Sequence, residues 1–192
     1  PLFAASLIFV YGFILWTVWI SFTRSRVLPN YELAGFLQYE RLWSTPRWHV
    51  ALSNLVIFWV LFVALCLMIG MLLAILLDQR IRIEGVIRTI YLYPMALSFV
   101  VTGTVWKWIL NPGLGIERVM QQAGFEDFRF DWLVNPDYAV YTVVIAGVWQ
   151  SSGYAMALFL AGLRSVDDEL LKAAAIDGAG PWRTYTRIVL PM

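Results

Sequence analysis

Residues 50–77 carry no charged side chain. That run exceeds the roughly 20 residues a helix needs to cross the hydrocarbon of a bilayer. A helix apolar on every side has no place on the surface of a soluble domain. Residues 2–22, 89–106 and 138–163 are uncharged as well. The chain therefore reads as all-α and polytopic, with spans over 2–22, 50–77, 89–110 and 138–163. The second is longer than a perpendicular crossing requires, so tilt or an interfacial start is expected there. With 60% hydrophobic residues, 14% charged and a mean hydropathy of +0.70, soluble classes are excluded. A net charge of +1 offers no field for nucleic acid or another polyanion. Cys66 is the single cysteine and lies deep in an apolar run, so it is read as a packing residue with no disulfide in the chain.

The segments between the runs are polar and carry interface markers. Trp16 and Trp19 close the first run, and Trp106-Lys107-Trp108 marks the far end of the third. Residues 23–49 read as an external loop with a short interfacial helix over 36–43. Residues 78–88, with Arg80, Arg82 and Arg88, read as a cytoplasmic turn. In residues 113–137, Glu117, Glu126, Asp127, Asp131 and Asp137 are scattered without calcium-loop spacing, and the segment reads as a second external loop. Its Phe125, Phe128, Phe130 and Trp132 alternate with polar residues, as if lying against the membrane surface or a partner. His49 has no second ligand candidate, so no metal site is expected, and no cofactor either.

Three features interrupt the spans. Pro94 removes a backbone donor from the third and predicts a kink. Gly70 and Ala74, four apart, allow a close helix approach. Gln150-Ser151-Ser152-Gly153, flanked by Trp149 and Tyr154, places polar groups at membrane depth. Such groups need partners or a water-filled cavity, and both helix–helix bonding and pathway lining fit.

Beyond the fourth span, Asp167, Asp168 and Glu169 load a helical first turn that Ser165 or Asp167 can cap. Leu170, Leu171 and Ala174 follow at helical spacing. The three alanines from Ala173 keep the helix thin enough for a partner to close around. Gly178 sits where a helix ends in a left-handed residue, and Pro181 prevents its unbroken continuation.

This stretch resembles the cytoplasmic EAA loop of binding-protein-dependent ABC transporter permeases, whose pattern is Glu-Ala-Ala, three residues, Gly, nine residues, Ile-x-Leu-Pro. Ala173, Ala174, Gly178, Ile188, Leu190 and Pro191 fall in register, whereas the glutamate position holds Lys172. Ile176-Asp177-Gly178-Ala179, the Trp-x-Trp before Asn111-Pro112, and Tyr91-Leu92-Tyr93-Pro94 resemble MalF-type sugar permeases, with likeness to glucose and α-glucoside permeases.

The resemblance implies a single permease domain over 1–192, truncated at both ends. It would hold four of six core spans, a coupling loop over 165–187 and the start of a fifth span at 188–192. It also implies a place in a bacterial inner membrane with the loop cytoplasmic, a second permease subunit, separate cytoplasmic ATPase subunits, an external solute-binding protein and a sugar substrate. In that reading Glu169, Leu170, Leu171, Lys172, Ala173, Ala174, Asp177 and Gly178 meet the ATPase, while Trp149, Gln150, Ser151 and Tyr154 line the substrate pathway. Where a relative has asparagine near that site, this chain has Gly147.

Charge counting does not decide orientation. Arg80, Arg82, Arg88, Arg164, Lys172, Arg183 and Arg187 on one side are matched by Arg24, Arg26, Arg41, Arg47, Lys107, Arg118 and Arg129 on the other. No catalytic role is assigned to the chain. Gly113-x-Gly115 lacks the third glycine and the strand of a phosphate cradle, so ATP hydrolysis is expected in a partner. The alternatives are a channel-like or structural membrane subunit without ATP coupling, and an intramembrane enzyme built on Asp167-Asp168-Glu169. The latter lacks a second carboxylate cluster.

Overall fold

The structure, a computed structural model, describes residues 2–26, 28–79, 81–185 and 187. The side chains of Leu2, Ala4, Asp168, Leu171, Ala175, Pro181 and Trp182 lie outside the description. So do Arg80, the Ile188-x-Leu190-Pro191 end of the loop pattern, and the expected start of a fifth span at 188–192. Helices dominate, and among the described residues the extended pairing is one bridge, Thr23 with Leu33.

Two compact units divide the chain, Pro1–Leu55 and Val56–Met192. In the first, α1 (Leu2–Ser6), a π-type turn (Leu7–Gly12) and α2 (Phe13–Ser21) follow with helical dihedrals at each junction. Phe9, Tyr11, Phe13, Trp16 and Trp19 are exposed, as lipid-facing side chains would be. The following loop is pinned locally. Arg24 N–H donates to the Glu32 carbonyl at 2.9 Å, and the buried Thr23 hydroxyl donates to the Ile20 carbonyl at 2.7 Å. The short helix expected over 36–43 is α3 (Leu37–Trp43). His49 Nε2 lies 2.7 Å from the Trp43 carbonyl oxygen, so the lone histidine ties the end of α3 to the next helix.

That next helix, α4 (Pro46–Asp78), runs on into the second unit. There α5 (Glu84–Leu92), a 3₁₀ turn (Tyr93–Ala96), α6 (Phe99–Ile109), α7 (Ile116–Gln122) and α8 (Ala139–Leu163) follow, then α9 (Asp168–Ile176) and α10 (Pro181–Thr184). The central helix is α8, which buries residues along its whole length, from Thr142 to Leu163. It packs on α4 in two patches: Val144 and Val148 with Cys66, and Met156, Leu160 and Leu163 with Ala74 and Leu77.

Between spans in lipid there is little hydrophobic drive, so shape complementarity at small residues must hold the helices together. Gly70 provides it: a Cβ there would stand 2.7 Å from Ala155 Cβ and 2.9 Å from Met156 N. Gly147 lies equally bare beneath the Phe62 ring, with 3.2 Å of clearance for a Cβ. An asparagine at position 147 would collide with that ring unless Phe62 moved.

Candidate functional site

The expected kink at Pro94 is larger than one proline produces by itself. The segment Glu84–Ala96 and α6 meet at 101°. Pro94 is buried in the 3₁₀ turn and has no N–H to donate. Leu97 is extended, with φ −78° and ψ 145°, and Ser98 opens α6 as its N-cap, its hydroxyl accepting from Val100 N–H. The helical ladder is therefore cut and restarted.

A cut ladder leaves carbonyls without partners, and in hydrocarbon each orphan costs several kcal/mol. Gln150 answers one of them. Its side chain is buried, and Nε2 donates to the Leu97 carbonyl at 2.9 Å. Three residues on, Gly153 lies directly against the chain at the bend, where a Cβ would overlap the Tyr91 carbonyl oxygen. The polar turn of α8 is thus the seat of the broken helix. Ser152 is buried beside it. Trp149 and Tyr154 are half-exposed on other sides of α8, and Trp149 meets the Trp106 ring edge-on at 5.8 Å. Trp106 also borders a cleft of about 140 Å³ between α6 and α8, with Gly103, Lys107, Thr142, Val143 and Ala146 among its walls. The hydroxyl of Thr102, buried on α6, has no partner among the described residues.

The second locus is the loop after α8. Asp167 Oδ1 accepts from Glu169 N–H at 2.9 Å, so of the two possible caps Asp167 is the one used. At the other end Gly178 adopts φ +73°, and Ala179 N–H donates to the Ala174 carbonyl at 2.9 Å. That six-to-one bond closes α9 with a Schellman turn. Ala174 is buried. Glu169, Lys172, Ala173 and Ile176, spaced as one helix face, are exposed, with Ile176 86% accessible.

Between the two loci, a charged cluster joins four segments. Arg164, the C-cap of α8, pairs with Glu84 at 2.7 Å and lies 3.9 Å from Asp78, and it donates to the Leu77 carbonyl at 3.4 Å. The hydroxyl of Tyr185 donates to Asp78 at 2.9 Å. The hydrogen bond from Arg164 holds the Glu84 carboxyl below its ordinary range, and burial beside Asp78 pushes the Tyr185 phenol up.

A sequence profile described as the binding-protein-dependent transport system inner membrane component matches residues 66–192. The chain belongs to that family. A probable ABC transporter permease protein of Pyrococcus horikoshii is 42% identical over 186 residues, covering 96% of this chain and 64% of the relative. The xylose/arabinose import permease protein XacH of Haloferax volcanii is 42% identical over 185 residues, 95% of this chain and 58% of that one. The chain thus spans less than two thirds of these relatives. The fold is that of a bacterial ABC transporter involved in the import of the acidic polysaccharide alginate. All of this chain superposes on 64% of that one with a TM-score of 0.83, at 23% identity.

Within this permease chain, the residues singled out by sequence fall into separate environments. Gln150 is engaged with the backbone of the bend, while Trp149 and Tyr154 are accessible and Ser151 is partly so. On the loop, Glu169, Leu170, Lys172, Ala173, Asp177 and Gly178 are exposed, Ala174 is buried, and the Leu171 side chain is outside the described residues. Sequence reasoning missed the outward position of Ile176 and the whole Asp78–Glu84–Arg164–Tyr185 cluster. The sequence signals available for the cluster were Asp78 and Arg164, each a charge placed directly after an uncharged run. Gln150→Ala is expected to leave the Leu97 carbonyl orphaned and to lower stability by about 1–3 kcal/mol. Thermal unfolding in detergent checks this, with Gln150→Met as a second variant that keeps nearly the same size and has no donor.

Proposed function

We propose that this chain is part of the translocation pathway of an ATP-driven, binding-protein-dependent sugar importer. It would lie in the inner membrane with α9 on the cytoplasmic side, where α9 meets a separate ATPase subunit. The observation that carries the reading is α9 itself. A helix of nine residues is too short to be stable alone, yet this one is capped at both ends and buries Ala174 while it presents Glu169, Lys172, Ala173 and Ile176 outward. An exposed apolar residue on a rigid, doubly capped helix suits a socket in a partner. Lys172, in place of the family glutamate, stands on the same exposed face, so the matching socket would present an acid to it.

The sugar class follows from the import permeases that the chain is similar to and from the character of the cleft beside α8. Trp106 borders that cleft, and farther along α8 Trp149 and Tyr154 offer accessible aromatic faces and Ser151 a hydroxyl, a combination suited to the apolar faces and hydroxyl rim of a sugar ring. At about 140 Å³ the cleft is smaller than the roughly 300 Å³ at which small-molecule sites begin. A second permease subunit would complete it.

Uptake of labelled pentoses and hexoses by cells carrying the whole transporter tests the reading, together with copurification of an ATPase and a solute-binding protein. Uptake that needs ATP and the binding protein is the expected result. Conductance of solute down its gradient without an ATPase would instead make the chain a channel subunit. Tyr154→Ala, at a half-exposed side chain, should reduce uptake about tenfold while leaving the amount in the membrane unchanged, the loss of a contact worth about 1.4 kcal/mol. Undiminished uptake would remove Tyr154 from the pathway.

A further inference from the structure

The loop that carries α9 leaves the membrane domain at Arg164 and returns at Tyr185. Both residues face the same carboxylate, that of Asp78: the Tyr185 hydroxyl donates to it at 2.9 Å, and the Arg164 guanidinium stands within ion-pair range, with Nε at 3.9 Å. Asp78 is the last residue of α4, where the negative end of the helix dipole disfavours an acid. Positive charge and hydroxyl donors offset that penalty, and here they come from the two feet of the loop. Arg164 also donates to the Leu77 carbonyl, one of the last carbonyls of α4, and pairs at 2.7 Å with Glu84 in the first turn of α5. Tyr185 packs as well on the apolar cluster of Ala74, Leu77, Met156, Leu160 and Leu163. The loop is therefore closed at its base around the Asp78 carboxylate, with Arg164 held at closer range by Glu84, so that the base is tied to the helix leading into the bend at Pro94.

We propose that Asp78 is the positioning residue of the transport cycle. It locks both feet of the coupling loop together, so that a displacement of α9 reaches α4 and α5 as one rigid movement. This rests on α9 being the contact with the ATPase. If the feet were free, the segments flanking α9, with their glycines at 178 and 180, would absorb the displacement by bending. With both feet held, the movement is delivered to α5, and through α5 to the 3₁₀ turn seated on Gln150 and Gly153. A local push at the loop thereby becomes a shift of the broken helix.

The test uses the complete transporter, with its ATPase and binding protein, in proteoliposomes. The variants are Asp78→Asn, which keeps the shape and removes the charge, and Tyr185→Phe, which removes one hydroxyl. The expected result is that the ATPase still copurifies and still hydrolyses ATP, while sugar imported per ATP falls by about fivefold or more, the range of measured coupling between sites. Arg164→Lys should recover part of what Arg164→Gln loses. An unchanged ratio of import to hydrolysis overturns the proposal. So does a fall of both in proportion to the amount of assembled complex, which would make the cluster a brace and nothing more. If Asp78→Asn does not assemble, Tyr185→Phe decides, since loss of one hydroxyl leaves the packing intact. A wild-type complex that holds no ATPase overturns the reading of α9 first, and this proposal with it.

Discussion

Replacing Gly153 with alanine is expected to disable this protein through a single methyl group. The added Cβ would overlap the Tyr91 carbonyl oxygen and press on the Tyr91 carbonyl carbon and Leu92 N. These are backbone atoms in the last turn of α5, so no rotamer change can clear them. Either α8 moves away from the bend or the bend opens, and each response breaks the Gln150 bond to Leu97. The cost should reach about 3 kcal/mol, the upper part of the range for overpacked cores, and exceed that of Gln150→Ala. A fall in the unfolding temperature in detergent, with reduced protein in the membrane, is the measurement. Gly162→Ala supplies the control on the same helix: nothing lies within 4 Å of its missing Cβ, so that change should be neutral or slightly stabilising. If Gly153→Ala is as stable as Gly162→Ala, the close seating of the broken helix on α8 is wrong.

On the proposed reading of α9, Ile176→Asp should separate the chain from an ATPase partner without unfolding it. Ile176 is 86% exposed, so its folding role is small, and exposed substitutions away from special features shift stability by about 0.5 kcal/mol at most. In the proposed socket the same change would place an unpaired carboxylate where an apolar side chain would be buried. Loss of an interface anchor costs about 2 kcal/mol or more, which is about thirtyfold in affinity. The ATPase should be lost from the purified complex while the permease remains folded and membrane-bound. Retention of the ATPase at full stoichiometry by Ile176→Asp would show that this face of α9 is not the contact.

These two positions differ in how legible they were beforehand. Ile176 belongs to a helix whose start and stop follow from residues within a dozen positions of one another, although its own outward position was missed. Asp167 caps and Gly178 takes a positive φ that other residues resist, while the burial of Ala174 decides which face the 3.6-residue period leaves outward. Gly153 looked like one member of a polar and small cluster that suited helix bonding or pathway lining equally. Nothing nearby in sequence shows that its missing side chain is filled by the backbone of Tyr91.

The bend at Pro94 lies between these cases. The proline and the capping Ser98 are local signals and foretell a break. The 101° angle depends on where α8 stands, because α8 carries the donor and the bare glycine that hold the two halves. The 89–110 stretch therefore reads as one kinked span in sequence and as two helices in space.

By itself the sequence determined the all-α membrane class, the uncharged runs, the short capped helix beyond the last run and the family pattern it carries. Hydropathy, capping and backbone dihedrals are properties of neighbouring residues. Tertiary structure alone decided the pairing of Gln150 with a carbonyl 53 positions away, and that of Tyr185 with a carboxylate 107 positions away. Those pairings arise from how helices fit side by side in lipid. Small residues and the shapes around them choose the partners there, and no periodicity along the chain records the choice.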